Sequence, residues 1–252
     1  MRPQRYEEDL AYIHHAGFSD LARGSAPWVI ETLRGSGLRN GTVVELGCGG
    51  GLLLAALTAI GYRAVGVDAS APMLDIARST APAATLLHAS LYDVELPRCA
   101  AVVAVGEGLN YVAGFDDPPP TAALFARIAE ALDPNGLLIF DAMVRGRDTT
   151  GPYRTWASGP DWAVLAEVFP EPDRHRLRRE ITTFRLVDGG YRRGHEEHRI
   201  HLFPRDGLVR QLAEAGFRVR VRRAYGHFAL GPGRRLFVGR KKKPAGGHPP
   251  AM

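Results

Sequence analysis

Short β-branched runs alternate with segments of helical apolar spacing through the first 140 residues, which restricts the chain to a mostly parallel sheet with helices on both faces. TVVEL at 42–46 is followed by LLLAALTAI, which ends at Gly61, and AVGV at 64–67 by a helix over 71–79. Then come ATLLH at 84–88, AAVVAV at 100–105, a helix over 121–132 and GLLIFDA at 136–142. Pro134-Asn135-Gly136 is a turn signal that stops the last helix and starts the fifth strand. Ahead of this unit, residues 6–36 read as two helices, with Tyr6, Leu10 and Ile13 at i, i+4, i+7 and Pro27 in the first turn of the second. After Ala142 the residues at 162–169, 176–187 and 191–203 are strand-like and separated by PEPD and DGG turns, which predicts a three-stranded antiparallel meander. A helix over 205–215 and strands over 217–223 and 235–240 resume the earlier pattern.

The 252 residues are 45% hydrophobic, enough for a sizeable core. No stretch approaches the ~20 apolar residues of a membrane span, and the acidic start MRPQRYEEDL lacks the apolar run of a signal peptide, so the expected setting is cytoplasmic, away from membranes. Two cysteines, Cys48 and Cys99, are too few for a disulfide framework and match no metal-ligand spacing. Charge is uneven: nine arginines face fifteen carboxylates in the first 140 residues, whereas 23 basic face twelve acidic side chains in the rest. The three lysines, Lys241 to Lys243, open a Gly- and Pro-rich end that reads as a disordered basic tail over 241–252.

VVELGCGGG at 43–51 lies where the first strand turns into the first helix. Gly47, Gly49 and Gly51 leave the backbone bare, so a ligand can approach closely and helix N-terminal amides can face it. A dinucleotide fingerprint needs glycine at the sixth position of G-x-G-x-x-G, where this chain has Leu52. Instead the third glycine comes one residue early and Glu45 precedes the first by two. Asp68, 21 residues after Gly47, ends the second strand, where a carboxylate can accept both hydroxyl hydrogens of a ribose.

Acid, glycine loop and ribose acid together resemble the class I S-adenosylmethionine-dependent methyltransferases, over residues 40–142 by motif and 205–240 by topology. The resemblance implies an α/β fold: a Rossmann-like seven-stranded, mostly parallel sheet with an N-terminal helical cap and an inserted antiparallel β meander. The expected parts are a cap over 1–40, a cofactor-binding domain over 41–147 and 204–240, and a meander lid over 148–203. It also implies that S-adenosylmethionine is the cofactor, with Gly47, Cys48 and Gly49 along its methionine part, Glu45 at its ammonium and Asp68 on its ribose. Ala69 and Met73 would flank the adenine, Met73 being alternatively a core residue. Where the family commonly has an acid near the adenine amino group this chain has Ser90, leaving that contact to Ser90, the Leu91 backbone or Asp93.

Strand C-termini form the ligand-facing edge of such a sheet, which brings Gly106, Glu107, Asn110 and Tyr111 near the reacting sulfonium. Glu107 is either a base or a helix-start acid, and Tyr111 either a substrate contact or a structural aromatic. The loop carrying Tyr225 and His227 emerges at the same edge, and the cap carries Tyr6, Tyr12, His14 and His15, with Tyr6 and Tyr12 assigned to the cofactor. The candidate catalytic residues are Glu107, Tyr111, His14 and His227. HEEHRIH at 195–201 is not a helical HExxH zinc site, because Arg199 stands four residues after His195 and a strand points His198 away from His195 and His201. It reads as a strand with solvated polar faces, and no metal is expected. The expected reaction is methyl transfer to a heteroatom of a small-molecule metabolite by a monomer or homodimer; the DNA N-methyltransferase signature is absent. The alternatives are an RNA methyltransferase and a non-catalytic S-adenosylmethionine-binding protein.

Overall fold

The structure is a computed structural model that describes residues 6–111, 118–146 and 151–242. Its centre is a seven-stranded sheet built from β1 (Thr42–Leu46), β2 (Arg63–Asp68), β3 (Thr85–His88), β4 (Cys99–Ala104), β5 (Leu132–Met143), β10 (Phe217–Arg222) and β13 (Arg234–Lys241), in the order β10-β13-β5-β4-β1-β2-β3. Only β13 runs against its neighbours. Strands β1, β4 and β5 are buried on both faces, which is why they read as continuous apolar runs.

One face packs on α5 (Thr121–Ala131) and α6 (Arg205–Glu214), with Phe125, Phe140 and Phe237 in successive ring contact. The other face packs on α3 (Leu52–Thr58), α4 (Ala71–Thr80) and α2 (Asp20–Gly35). Helix α2 is thus part of the core; of the two N-terminal helices, α1 (Glu8–Gly17) is the one that reaches α4 and the lid strands. Pro27 lies in the middle of α2, not in its first turn. Its missing amide leaves one helical hydrogen bond unmade, and complete burial of Val29 and Leu33, roughly 1.5–3 kcal/mol each, offsets that cost.

The inserted sheet has four strands where three were expected: β6 (Tyr153–Ser158), β7 (Trp162–Glu171), β8 (Arg176–Val187) and β9 (Gly190–His201), all antiparallel. Strand β6 is exposed along nearly its whole length, so it carries no alternation to betray it and exists through pairing with β7. The expected fifth-strand start also moves: α5 stops at Ala131 and β5 begins at once, with Pro134-Asn135-Gly136 absorbed as an irregularity opposite Cys99 and Ala101. Between β10 and β13 a hairpin, β11 (Ala224–Tyr225) and β12 (Phe228–Ala229), replaces the expected loop. Lys241 is not tail: it pairs with Phe217, and its ammonium donates to the Leu132 carbonyl at 2.6 Å. The rest of the expected tail from 243 on, and residues 148–150 of the expected lid, lie outside the described residues.

Asn110 ties lid to sheet. It is fully buried, its Nδ2 donates to the carbonyls of Met143 (2.9 Å) and His201 (2.6 Å), and its Oδ1 accepts from the Met143 amide (3.0 Å). Asn110→Ala leaves three backbone groups without this partner and is expected to destabilise the fold by about 2–4 kcal/mol, measured by urea denaturation.

Candidate active site

Loops leaving the C-terminal ends of β1, β2, β4 and β5 meet at one edge of the sheet. After β1, the amides of Gly47 and Cys48 both donate to the Val67 carbonyl, at 2.7 and 3.0 Å, locking the glycine turn to β2. Gly47 and Gly49 have left-handed φ of 71° and 50°. A Cβ at either would meet a single atom, Gly108 Cα at 3.8 Å or Met73 Sδ at 3.9 Å, so the backbone there forms an open cradle. Gly50 is different: a Cβ would run into the His15 ring, so α1 lies directly against the turn.

Asp68 spans this cradle. One carboxylate oxygen accepts from the Gly49 amide and the other from the Ser70 amide, both at 2.8 Å. Ser70 caps α4 by accepting from the Met73 amide, and its hydroxyl donates to the Tyr6 carbonyl at 2.7 Å. Glu45 is buried on the apolar α3 side, and burial together with the charge of Asp68 pushes its carboxyl well above the usual range. Its Oε2 has no hydrogen-bond partner among the described residues. A buried, unpartnered carboxylate oxygen beside a bare glycine turn suits a cationic ammonium, so these residues fit S-adenosylmethionine.

Met73 is buried beneath Gly49, and Cys48 is a buried thiol. The Ala69 carbonyl accepts from His88 at 3.1 Å. Beside it, Ser90 Oγ accepts from the Tyr92 amide at 3.2 Å and the Leu91 carbonyl accepts from Arg127 at 3.3 Å, while Asp93 is exposed.

After β4, Gly106 and Glu107 both adopt left-handed φ, of 96° and 60°, and their amides donate to the two oxygens of Asp141 at 2.8 and 3.0 Å. The Tyr225 hydroxyl donates to the same carboxylate at 2.8 Å. The Glu107 side chain then bridges Arg179 of β8 and Arg234 of β13, the latter at 2.8 Å. Burial raises the Glu107 carboxyl, but the two guanidinium charges overcome it and hold it at about 2. Glu107 does stand at the start of a helix, the N-cap position of a 3-10 turn over Gly108–Asn110, but its side chain makes no capping bond and serves instead as the counter-charge that holds Arg179 of the lid.

Tyr6 and Tyr111 meet hydroxyl to hydroxyl at 3.2 Å. Tyr6 also has the edge of His14 at 5.0 Å and the ring of His198 at 5.1 Å, and Tyr111 has His198 at 5.6 Å. Burial keeps His14 neutral, with its pKa lowered to about 4, and pushes both tyrosine hydroxyls up. Two expected site residues lie elsewhere. Tyr12 donates to Asp161 at 2.7 Å under the Arg185 guanidinium, making it a cap–lid contact instead of a cofactor contact. His227 is exposed at the tip of the β11–β12 hairpin. The expected solvated strand HEEHRIH has instead a buried inner face of Glu196, His198 and Ile200. Its i, i+2, i+4 spacing carried that signal, but Arg192 to Arg199 read as a polar run. Arg179, Arg234 and Asp141 were also missed, the two arginines because they stand among many arginines.

The chain was compared with known proteins. The methyltransferase domain family matches residues 43–136. The Geobacillus sp. (strain WCH70) protein named "Putative methyltransferase" is 30% identical over 185 residues, covering 70% of this chain and 74% of that protein. The Streptomyces fradiae dTDP-3-amino-3,6-dideoxy-alpha-D-glucopyranose N,N-dimethyltransferase is 26% identical, covering 90% and 87%. Streptomyces venezuelae DesVI superposes with a TM-score of 0.77 at 23% identity, covering 94% and 100%.

Glu107→Gln leaves the half-buried guanidinium groups of Arg179 and Arg234 without their shared charge and is expected to cost about 2–3 kcal/mol at pH 7. Because the folded carboxyl sits below its ordinary 4.5, its contribution is present above that pH and is lost as pH falls toward about 2. Urea melts of both proteins from pH 7 to pH 2 should therefore converge; parallel curves would remove the ion pair from the stability account.

Proposed function

The chain belongs to the class I S-adenosylmethionine-dependent methyltransferases, and from that premise we propose that it methylates a heteroatom of a small-molecule metabolite, as a cytoplasmic monomer or homodimer. The observation that carries this reading is the closure of the sheet edge. Helix α1 lies on the glycine turn, β9 pairs with Tyr111 through a bridge to Ile200, and Arg179 of β8 is held by Glu107. An acceptor then has to reach a sheet edge covered by α1 and the lid, where the rings of Tyr6, His14, Tyr111 and His198 meet, which suits a metabolite better than a nucleic-acid duplex. The name of the Streptomyces fradiae relative, an amino-sugar dimethyltransferase, supports the same substrate size. Buried, unpaired Cys48 and Cys99 fit a reducing compartment, and among the described residues no helix is long and apolar enough to cross a membrane.

The positive charge of the second half gives little support to an RNA substrate. Lid arginines are matched locally: Arg176 with Glu171, Arg178 with Glu180, Arg199 with Glu197, and Arg185 and Arg192 with Asp9. Arg218, Arg220 and Arg222 are exposed on β10, an edge strand of the large sheet, where charge discourages edge pairing.

When bound, S-adenosylmethionine supplies a methyl group activated by a sulfonium, so the protein has to hold, align and dehydrate the reactants. In this reading Glu45 faces the ammonium, Gly47, Cys48 and Gly49 line the methionine part, and Asp68 holds the ribose. Ala69, Met73 and the Ser90–Leu91 segment border the adenine, and Gly106 lies by the sulfonium. Tyr6 couples the two halves of the site through its carbonyl on Ser70 and its hydroxyl on Tyr111.

Asp68→Ala is expected to weaken S-adenosylmethionine and S-adenosylhomocysteine alike by roughly 1.5–3 kcal/mol, measured by calorimetric titration of folded protein. Incubation with methyl-tritiated S-adenosylmethionine should label amino- and hydroxyl-bearing metabolites and leave structured RNA unlabelled. Salt-sensitive labelling of RNA alone would reverse the substrate assignment.

A further inference from the structure

Strand β9 turns a histidine and a carboxylate into the covered site. Glu196 and His198 share its inner face at 4% and 2% exposure. His198 Nε2 lies 2.9 Å from Glu196 Oε2, while Glu196 Oε1 accepts from the Glu7 amide at 2.9 Å, so the carboxylate is held on both sides. With Nε2–H directed at the carboxylate, Nδ1 carries a lone pair. That Nδ1 is buried and has no hydrogen-bond partner among the described residues. Leaving such an atom unpaired costs roughly 1–3 kcal/mol, and the imidazole stands against the two tyrosines whose hydroxyls meet.

We propose that His198, oriented by Glu196, accepts the proton released from the substrate nitrogen or oxygen as that atom is methylated. This rests on the heteroatom methyltransferase reading and deepens it. The nucleophile's lone pair forms the bond to the methyl carbon, the electron pair of the broken C–S bond stays on sulfur, and the N–H or O–H proton passes to Nδ1. The imidazolium so formed stands beside the Glu196 carboxylate and later returns its proton to solvent.

The surrounding groups are poor alternatives. Glu107 is held ionised at about 2 by Arg179 and Arg234, and His14 is lowered to about 4 by burial. Burial pushes the Tyr6 and Tyr111 hydroxyls up and so keeps both neutral. Arg179, the direct cross-strand neighbour of His198, carries a positive charge whose partner is Glu107, so Glu196 is the carboxylate bonded to the imidazole itself.

Sinefungin tests this without knowledge of the acceptor, because it places an amine where S-adenosylmethionine carries its methyl group, whereas S-adenosylhomocysteine places nothing there. His198→Gln keeps a donor toward Glu196 and removes Nδ1. It should weaken sinefungin roughly tenfold while leaving S-adenosylhomocysteine affinity unchanged, read by calorimetry. In the wild-type protein the His198 Nδ1 resonance, followed by 15N NMR, should be that of an unprotonated nitrogen and should shift with sinefungin but not with S-adenosylhomocysteine. Glu196→Gln should disturb that tautomer. Equal losses for both ligands, no loss for sinefungin, or a protonated Nδ1 in the free protein overturns the assignment. Failure of the wild-type protein to bind either ligand overturns the methyltransferase reading itself.

Discussion

The Asp141 carboxylate, near the C-terminal end of β5, is the anchor on which the site depends. It is completely buried, and it accepts two consecutive backbone amides, Gly106 and Glu107, together with the Tyr225 hydroxyl. A non-glycine residue at φ 60° is strained by roughly 1–2 kcal/mol, and this pair of charge-assisted hydrogen bonds is what keeps Glu107 there. Burial pushes the Asp141 carboxyl up, while Arg234 and these donors pull it back toward the ionised form. One acid thus fixes the turn after β4, the hairpin between β10 and β13, and the start of β13.

From that turn the Glu107 side chain reaches outward to Arg179, and the lid acquires its position. The cap is fastened to the lid in turn: Asp9 with Arg185 and Arg192, Tyr12 with Asp161, and the Glu7 amide with Glu196. Cap and lid are therefore coupled as one cover, with the His15 ring resting on the glycine turn. The dense pairing also explains why so arginine-rich a segment makes a sheet instead of a solvated polyelectrolyte. Each cross-lid ion pair is worth little alone where exposed, but Glu107 is a buried carboxylate between two half-buried guanidinium groups, and removing either partner is costlier.

The chemical division of labour follows from the same layout. The β1 and β2 loops present a bare turn flanked by Glu45 and Asp68, and the cap, the β4 turn and the lid present aromatic rings and imidazoles. These sets meet at Tyr6, whose carbonyl belongs to the first through Ser70 and whose hydroxyl belongs to the second through Tyr111.

The seven strands of the large sheet, the glycine turn and the two acids that flank it were all legible in the sequence, because each is encoded within about ten residues. Strand periodicity, bare glycines and a polar residue closing an apolar run are local signals. Strand β6 was not legible, since its residues are exposed and only pairing with β7 makes them a strand. Pro27 was misplaced because helix α2 is stabilised by the sheet it covers. Lys241 was misread because the end of β13 is set by Phe217 across the sheet. Tyr12 and the inner face of β9 were misread because their surroundings come from far along the chain: Asp161, which pairs with Tyr12, is 149 residues away, and Glu7, whose amide holds Glu196, is 189. Local chemistry written in the chain therefore determined the sheet and its glycine cradle. Which charged and aromatic groups converge on that cradle was decided by tertiary packing, where the energy lies in contacts that no short stretch of sequence contains.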